Sequence, residues 1–271
     1  MISHLWACAS MLRRLLVRPR KLTSRVIGVG NIQVGGAGKT PMVAWIARNT
    51  PGTVAILLRG YKKKAPGSRI FAAHEPLSAL WGDEAALLRQ LVPGAIIGVG
   101  ASRLALARMI TADTIILDDA FQYPWIYQDV RLCLVTNKRF GDVFFRDWPW
   151  TTCFADFGIG TKGGSGDCRV RFVLPPGRGK VFLVSALADP NCFEQSVRDA
   201  GYDIVGHEML PDHAEVVDLG ILQLRAEQIG ARLAMTGKDA VKICEPHNSI
   251  IFEPEVVFDA GEEELRRVLW P

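Results

Sequence analysis

A glycine-rich turn between an apolar strand and a helix start constrains this chain more than any other feature. Val26–Val29 has the composition of a buried strand, and Gly35-Gly36-Ala37-Gly38 leads into a helical stretch that begins at Lys39-Thr40. This order indicates a P-loop, in which backbone N–H groups close around phosphates at the positive end of a helix. Lys39 is predicted to reach the β- and γ-phosphates, and the Thr40 hydroxyl to hold Mg²⁺. The strict pattern has glycine where this chain has Gln33, so a plain glycine turn is the alternative.

A second apolar strand ends in two carboxylates, as expected of a Walker B segment. Thr114–Leu117 is followed directly by Asp118 and Asp119. Asp118 is predicted to hold Mg²⁺, and Asp119 to orient the metal or a substrate. Such a strand end is common by itself, but downstream of a P-loop it predicts a nucleotide site.

Alternating strand and helix patterns continue along the chain and predict an α/β fold. The parallel sheet is expected to be P-loop NTPase-like, with helices on both faces and a second, smaller α/β domain. A stretch from Thr136 to Gly166, rich in Trp, Phe, Gly and Asp, has the composition of a loop. The predicted organisation is an interface segment at 1–25, a P-loop domain at 26–150, a connection at 151–180 and a C-terminal α/β domain at 181–271.

Charge is distributed unevenly, which points to an anionic partner. Thirteen Lys or Arg residues precede the first acidic residue, Glu75, while the remainder carries 19 basic and 28 acidic residues. Residues 1–25 mix Trp and Leu with arginines, which fits an amphipathic helix at an anionic membrane surface. An ordinary packing helix is the alternative. Nucleic acid is not expected, because the basic residues lack an aromatic platform.

Two further classes are disfavoured by the sequence. The longest uncharged stretches, such as Val26–Gly38, are shorter than the roughly 18 apolar residues of a membrane-spanning helix. The cysteines are scattered without a C-x-x-C pair, which favours buried thiols in a reducing compartment over disulfides or a zinc framework. They are Cys8, Cys133, Cys153, Cys168, Cys192 and Cys244.

Several charged residues follow predicted strands and are candidates for the same site. Asp83 and Glu84 open a helix and Arg103 follows another strand, at the edge where open α/β sheets bind ligands. The two carboxylates would equally suit the helix dipole alone. His213 lies beside Asp212 in a turn, although a lone histidine is more often structural.

The order of these motifs resembles the tetraacyldisaccharide 4′-kinase family of lipid A biosynthesis. The resemblance extends from about residue 26 to 244 and rests on the P-loop with its preceding Gly30-Asn31 and on five later segments. These are Arg59-Gly60-Tyr61, Gly82-Asp83-Glu84, Ile116-Leu117-Asp118-Asp119-Ala120-Phe121-Gln122, Pro211-Asp212-His213 and Lys238-Asp239-Ala240-Val241-Lys242.

This resemblance implies a peripheral enzyme on the cytoplasmic face of the Gram-negative inner membrane. It would transfer the ATP γ-phosphoryl group, with Mg²⁺, to the 4′-hydroxyl of a lipid-linked glucosamine disaccharide. Asp83 is the implied base, assisted by His213, while Glu84 is implied to contribute to the metal site and Arg103 to spread charge on the transferring group. Arg146 stands in a shortened version of a family segment that ends in Leu-Arg-Glu-Pro. No obligate protein partner is expected.

Two other functions remain possible on the sequence alone. A switch ATPase of the protein-targeting or metal-insertion type also uses a G-G-x-G-K-T loop and would hydrolyse nucleotide without a sugar acceptor. A non-catalytic, membrane-docked scaffold would retain the fold without the chemistry. One observation argues against the scaffold: the chain retains all the predicted site residues Lys39, Thr40, Asp83, Asp118, Asp119 and His213.

Overall fold

Two sheets organise the computed structural model, which describes residues 2–33, 36–137, 145–187, 190–210, 219–242 and 249–271. The strands of the larger sheet are Arg25–Asn31 (β1), Val54–Leu58 (β2), Arg69–Phe71 (β3), Ile96–Val99 (β4), Thr114–Asp118 (β5), Val130–Val135 (β6), Phe157–Thr161 (β7), Cys168–Val173 (β8) and Glu255–Ala260 (β13). Those of the smaller sheet are Lys180–Ser185 (β9), Asp203–Met209 (β10), Arg232–Thr236 (β11) and Ile250–Phe252 (β12). The predicted α/β class, with a second and smaller α/β part, is confirmed.

The strand order places the glycine-rich loop and the paired carboxylates side by side. In the larger sheet the order is β13-β8-β7-β6-β1-β5-β2-β4-β3, so β1 and β5 are neighbours. They run parallel, with Val29 opposite Asp118. Only the outer strands β3 and β13 pair in the antiparallel sense within the described residues. The carboxyl ends of β1 and β5 therefore lie at one edge of the sheet, where such sheets bind ligands.

Helices cover both faces of each sheet. They are Ile2–Leu16 (α1), Lys39–Asn49 (α2), Asp83–Leu91 (α3), Arg103–Ala107 (α4), Pro190–Asp199 (α5), Leu219–Gln228 (α6), Gly237–Ala240 (α7) and Glu262–Leu269 (α8), with 3-10 turns at Ala79–Trp81 and Pro149–Phe154. In the larger sheet, Ile27 and Val29 pack with α2, α3 and α8, while Val26 packs with α4 on the opposite face. This alternation follows from the period of two along a strand.

The chain leaves the larger sheet and returns to it. β7 and β8 extend this sheet through residues for which the sequence predicts a loop and a connection, and β13 pairs with β8 after the smaller sheet is complete. The loop predicted from Thr136 to Gly166 is therefore wrong at β7. The domain boundaries themselves stay a prediction.

The described cysteines and helices bear on two of the excluded classes. Cys8, Cys133, Cys153 and Cys168 are free thiols, but Cys8 and Cys153 are exposed, so the prediction of buried thiols is wrong for these two. Burial raises the pKa of Cys133 and of Cys168 to about 12, so both are inert at neutral pH. Among the described residues, no helix combines the length and apolar character needed to cross a bilayer.

Candidate active site

The glycine-rich loop joins the end of β1 to the start of α2. Gly38 lies directly before the helix with φ 82° and ψ 26°, a left-handed conformation that a β-carbon disfavours. Thr161 Oγ1 donates a hydrogen bond of 3.1 Å to the carbonyl oxygen of Ala37, which attaches the loop to β7. Gly36 lies in the described part of the loop, whereas Gly35 lies outside the described residues. The loop therefore directs the N-terminal end of α2 toward the sheet edge, as phosphate binding requires.

Gln33, which stands where the strict P-loop pattern has glycine, makes contacts with its side chain that a glycine could not make. Its side chain is buried, and its Nε2 donates to Thr136 Oγ1 at the end of β6. Its backbone forms an isolated bridge with Phe145. The residue therefore fastens the loop to the neighbouring strand and to the segment that carries Arg146.

Four polar side chains converge where the loop begins. Lys39 Nζ donates a 3.1 Å hydrogen bond to Asn31 Oδ1 and lies 3.5 Å from Asp119 Oδ1. Arg146 makes two 2.7 Å bonds to the carboxylate oxygens of Asp119 and a 2.6 Å bond to Asn31 Oδ1. Two cations thus share one carboxylate and one amide oxygen. This is a preorganised electropositive pair beside a loop suited to phosphate.

The two Walker B carboxylates have opposite electrostatic environments. Burial raises the pKa of Asp118 to about 7, aided by the nearby charge of Glu84, and its Oδ1 has no hydrogen-bond partner among the described residues. Burial acts in the same direction on Asp119, but Lys39 and Arg146 outweigh it and hold the pKa of Asp119 well below its usual range. Asp118 Oδ1 is therefore a buried oxygen that no described residue satisfies, which is the kind of atom that a cation satisfies.

Arg103 lies behind the two aspartates. The side chain is buried, and its Nη1 donates to the carbonyl oxygen of Asp118 and, at 3.1 Å, to that of Asp119. The guanidinium also lies 4.0 Å from the centre of the Tyr123 ring. In this structure Arg103 thus fixes the backbone of the carboxylate turn, and its contact with a transferring phosphate stays a prediction.

The predicted base lies at the first turn of α3. Asp83 and Glu84 are the acidic residues of that turn, where the helix dipole favours negative charge. Asp83 Oδ2 lies 3.6 Å from Lys242 Nζ, a residue that follows α7 of the smaller sheet. Glu84 contributes to the raised pKa of Asp118, so this turn is within electrostatic reach of the Walker B strand. His213 lies outside the described residues.

A large cleft separates the two sheets and opens beside the P-loop. Its volume is about 920 Å³, and Thr40 of α2 and Lys238 of α7 both line it. Apolar side chains from both sides, including Leu87 and Phe252, form much of its wall. Its size and lining suit a small organic ligand with one polar end.

The sequence predicted most of these groups but missed several of their partners. The structure brings together Lys39, Asp118 and Asp119 and places Glu84 within electrostatic reach. Asn31, Lys242 and Asp239 have no role in the sequence prediction, although all three lie within quoted motifs. An asparagine at the end of an apolar strand is the signal that could have identified Asn31.

Comparison with known proteins assigns the family. A family model described as tetraacyldisaccharide-1-P 4′-kinase matches residues 1–145 and 171–270. The chain belongs to this family. A tetraacyldisaccharide 4′-kinase of Nitrobacter hamburgensis is 30% identical over 90% of this chain and 83% of its own length. One from Chlamydia trachomatis is 28% identical over 98% of this chain and 83% of its own.

A solved structure supports the fold of this tetraacyldisaccharide 4′-kinase family member. The crystal structure of the "apo" form of LpxK from Aquifex aeolicus in complex with ATP matches with a TM-score of 0.80. The match covers 99% of this chain and 96% of that chain at 22% identity. The resemblance drawn from the sequence motifs is therefore confirmed for family and fold.

Proposed function

We propose that this chain is an ATP-dependent kinase that phosphorylates the 4′-hydroxyl of a tetraacylated glucosamine disaccharide 1-phosphate, a lipid A precursor. One structural observation supports the proposal independently of family membership. Lys39 and Arg146 converge on Asp119 beside the glycine-rich loop, and one buried oxygen of Asp118 has no hydrogen-bond partner among the described residues. This arrangement provides the charge neutralisation that phosphoryl transfer needs.

The residues present fit a magnesium ion. Thr40, Asp118, Asp119 and Glu84 offer the hard oxygen donors that Mg²⁺ prefers. Mg²⁺ usually binds through one or two carboxylates together with phosphate oxygens, so not all of these groups need to contact the ion. When bound, the ion neutralises charge on the phosphates.

The protein groups supply positioning and proton transfer. Gly35, Gly36, Ala37 and Gly38 present backbone N–H groups to the phosphates, and Lys39 and Arg146 turn from Asp119 toward the transferring group. Asp83 accepts the proton of the 4′-hydroxyl, with His213 assisting it. General-base assistance of this kind contributes about 10²–10⁴-fold to the rate.

The cleft between the sheets is the proposed place for the nucleoside. It begins at Thr40, next to the phosphate loop, and its apolar wall can enclose a planar ring. The phosphates would then lie against the loop while the base lies between the two sheets.

Helix α1 is the proposed contact with an anionic membrane. Leu15 and Leu16 are 71% and 73% exposed, and Arg13, Arg18 and Arg20 are exposed as well. Exposed leucines beside arginines suit the boundary between lipid headgroups and acyl chains. Arg14 is an exception, because it faces the protein instead of solvent and pairs with Asp147. We propose a peripheral enzyme on the cytoplasmic face of the Gram-negative inner membrane.

Transfer of labelled phosphate tests the activity. The assay measures ³²P passing from γ-labelled ATP to a tetraacyl glucosamine disaccharide 1-phosphate in detergent micelles. Lys39→Ala and Asp83→Ala are expected to lose most of the activity, whereas Lys180→Ala, a change at an exposed lysine of β9, is expected to retain it. ATP hydrolysis that requires Lys39 but does not respond to the lipid would instead identify a switch ATPase.

Vesicle sedimentation tests the membrane contact separately. The wild type is expected to bind vesicles that contain phosphatidylglycerol more strongly than vesicles of phosphatidylcholine alone. Leu15→Asp with Leu16→Asp should abolish sedimentation while leaving activity on micellar substrate largely intact. Equal binding to both vesicle types would contradict the electrostatic part of the proposal.

A further inference from the structure

A buried lysine of the smaller sheet reaches the predicted base of the larger one. Lys242 Nζ lies 3.1 Å from Asp239 Oδ1 and 3.6 Å from Asp83 Oδ2. The Lys242 side chain is 7% exposed, and that of Asp239 is fully buried. Burying an ammonium group is costly unless it is paired, so this lysine depends on both carboxylates. The three groups form one ionic cluster that joins the two sheets.

Asp239 is held rigidly, which fixes the position of the lysine. Its Oδ2 accepts a 2.7 Å hydrogen bond from Thr236 Oγ1 and a 3.2 Å bond from the backbone N–H of Ala186. Its Oδ1 accepts from Lys242 Nζ. Because Thr236 ends β11 and Ala186 follows β9, the carboxylate is anchored to two strands of the smaller sheet. The Asp239 carboxylate therefore holds Lys242 Nζ at a fixed position relative to the smaller sheet.

Asp83 opens α3, where the first-turn N–H groups of the helix attract a negative charge. Their field acts on the whole carboxylate, whereas a cation held at a fixed position on one side of it favours one orientation. An oriented base matters because an error of about 1 Å in a reacting group can reduce the rate 10²-fold.

We propose that Lys242, held by Asp239, is a positioning residue that orients the carboxylate of Asp83 for proton acceptance. This inference rests on the proposed kinase function. It makes the geometry of the base depend on the packing of the smaller sheet against the larger one. Lys242 itself touches neither substrate nor reacting atom in this role.

The test is a kinetic comparison of Lys242→Gln and Lys242→Arg. The glutamine variant can keep a hydrogen bond to Asp239 but removes the charge facing Asp83. We expect its kcat for lipid phosphorylation to fall about 10²-fold with the KM for ATP unchanged. Lys242→Arg, which restores the charge, should recover a large part of kcat. Arg225→Met is the matched control, because it removes a cation of the same sheet from an exposed ion pair with Glu208.

A double-mutant cycle distinguishes positioning from a general effect on the fold. Lys242→Gln should cost nothing further in the background of Asp83→Asn, because its effect passes through that carboxylate. If the glutamine variant is too unstable to assay, Asp239→Asn replaces it and should also lower kcat without changing the KM for ATP. Unchanged kcat, a higher KM for ATP alone, or losses that add in the double mutant would overturn the inference. A wild-type chain that transfers no phosphate to the lipid would instead overturn the proposed function, and the inference with it.

Discussion

Arg14 Nη2 of helix α1 lies 3.3 Å from Asp147 Oδ2, and the Asp147 side chain is fully buried. The same guanidinium donates a 2.8 Å bond to the carbonyl oxygen of Phe121 and lies 4.5 Å from the centre of that ring. Burial raises the pKa of Asp147, although Arg14 opposes the shift. Gln122 Nε2 donates both to Asp147 Oδ2, at 2.6 Å, and to the carbonyl oxygen of Asn31, at 2.9 Å. The proposed membrane helix is thus connected, through the side chains of Asp147 and Gln122, to the strand that precedes the glycine-rich loop.

Loss of this ion pair should destabilise the whole protein. Arg14→Met leaves the Asp147 carboxylate buried without its cation, and breaking a buried pair typically costs about 3–5 kcal/mol. Arg13→Met removes an exposed arginine of the same helix whose guanidinium lies 5.6 Å from the centre of the Trp125 ring, and it should change the free energy of unfolding by no more than about 1 kcal/mol. Urea unfolding of both variants in detergent measures the difference. Similar stabilities for the two variants would show that Arg14 makes no net contribution.

Arg146 should be needed for catalysis as an arginine and not only as a cation. Arg146→Lys cannot bond both oxygens of Asp119 and Asn31 together, because an ammonium lacks the planar fork of a guanidinium. We expect kcat/KM for lipid phosphorylation to fall on the order of 10²-fold. Arg131→Lys is the control, because Arg131 makes a similar two-bonded contact with Asp156 on the surface. Equal rates for the two variants would show that catalysis does not need the guanidinium of Arg146.

The sequence predicts elements well where a local signal defines their start. Helix α3 begins at Asp83, as predicted, since it follows a glycine and opens with acidic residues that favour a helix N-terminus. β7 was missed because Gly158 and Gly160 interrupt its pattern. β13 was missed because its partner, β8, lies more than 80 residues away in the chain.

The site shows the same division between local and distant information. Asp118 and Asp119 were predicted because the motif that carries them is continuous. The contacts of Arg146 with Asn31 and of Lys242 with Asp83 join residues that are far apart in sequence, and a charged residue by itself does not indicate its partner. Such pairs depend on how the strands are ordered, and local patterns do not determine that order.

Gly30 should not tolerate a side chain. A β-carbon placed there would lie 2.6 Å from both the β-carbon and the backbone nitrogen of Phe121, closer than real contacts allow. Gly30→Ala should therefore displace the turn after Asp119 and lower both stability, by roughly 1–3 kcal/mol, and activity. Gly94→Ala is the control, because nothing lies within 4 Å of a β-carbon at that position. Thermal unfolding and the phosphate transfer assay together check the prediction.

Asp118 should make the metal-free protein less stable as the pH rises. Its pKa is about 7 in the folded protein against 3.8 for the ordinary side chain, so the folded state binds the proton more tightly than the unfolded state. A raised carboxyl pKa contributes stability that is complete below pH 4 and is lost as the pH passes through 7. With each pKa unit worth about 1.4 kcal/mol, the rise from 3.8 to about 7 corresponds to a contribution on the order of 4 kcal/mol.

Comparison of Asp118→Asn with the wild type at pH 5 and pH 8 in EDTA isolates this effect. The amide cannot ionise, so the variant should gain stability relative to the wild type at pH 8 but not at pH 5. Adding Mg²⁺ at pH 8 should then stabilise the wild type more than the variant, because the metal requires the ionised carboxylate. Asp113→Asn is the control: hydrogen bonds from Thr53 hold the pKa of Asp113 below its ordinary value, so it is ionised throughout this range. The effect of Asp113→Asn on stability should be the same at both pH values. A pH-independent effect of Asp118→Asn as well would show that the pKa of Asp118 is not raised in the folded protein.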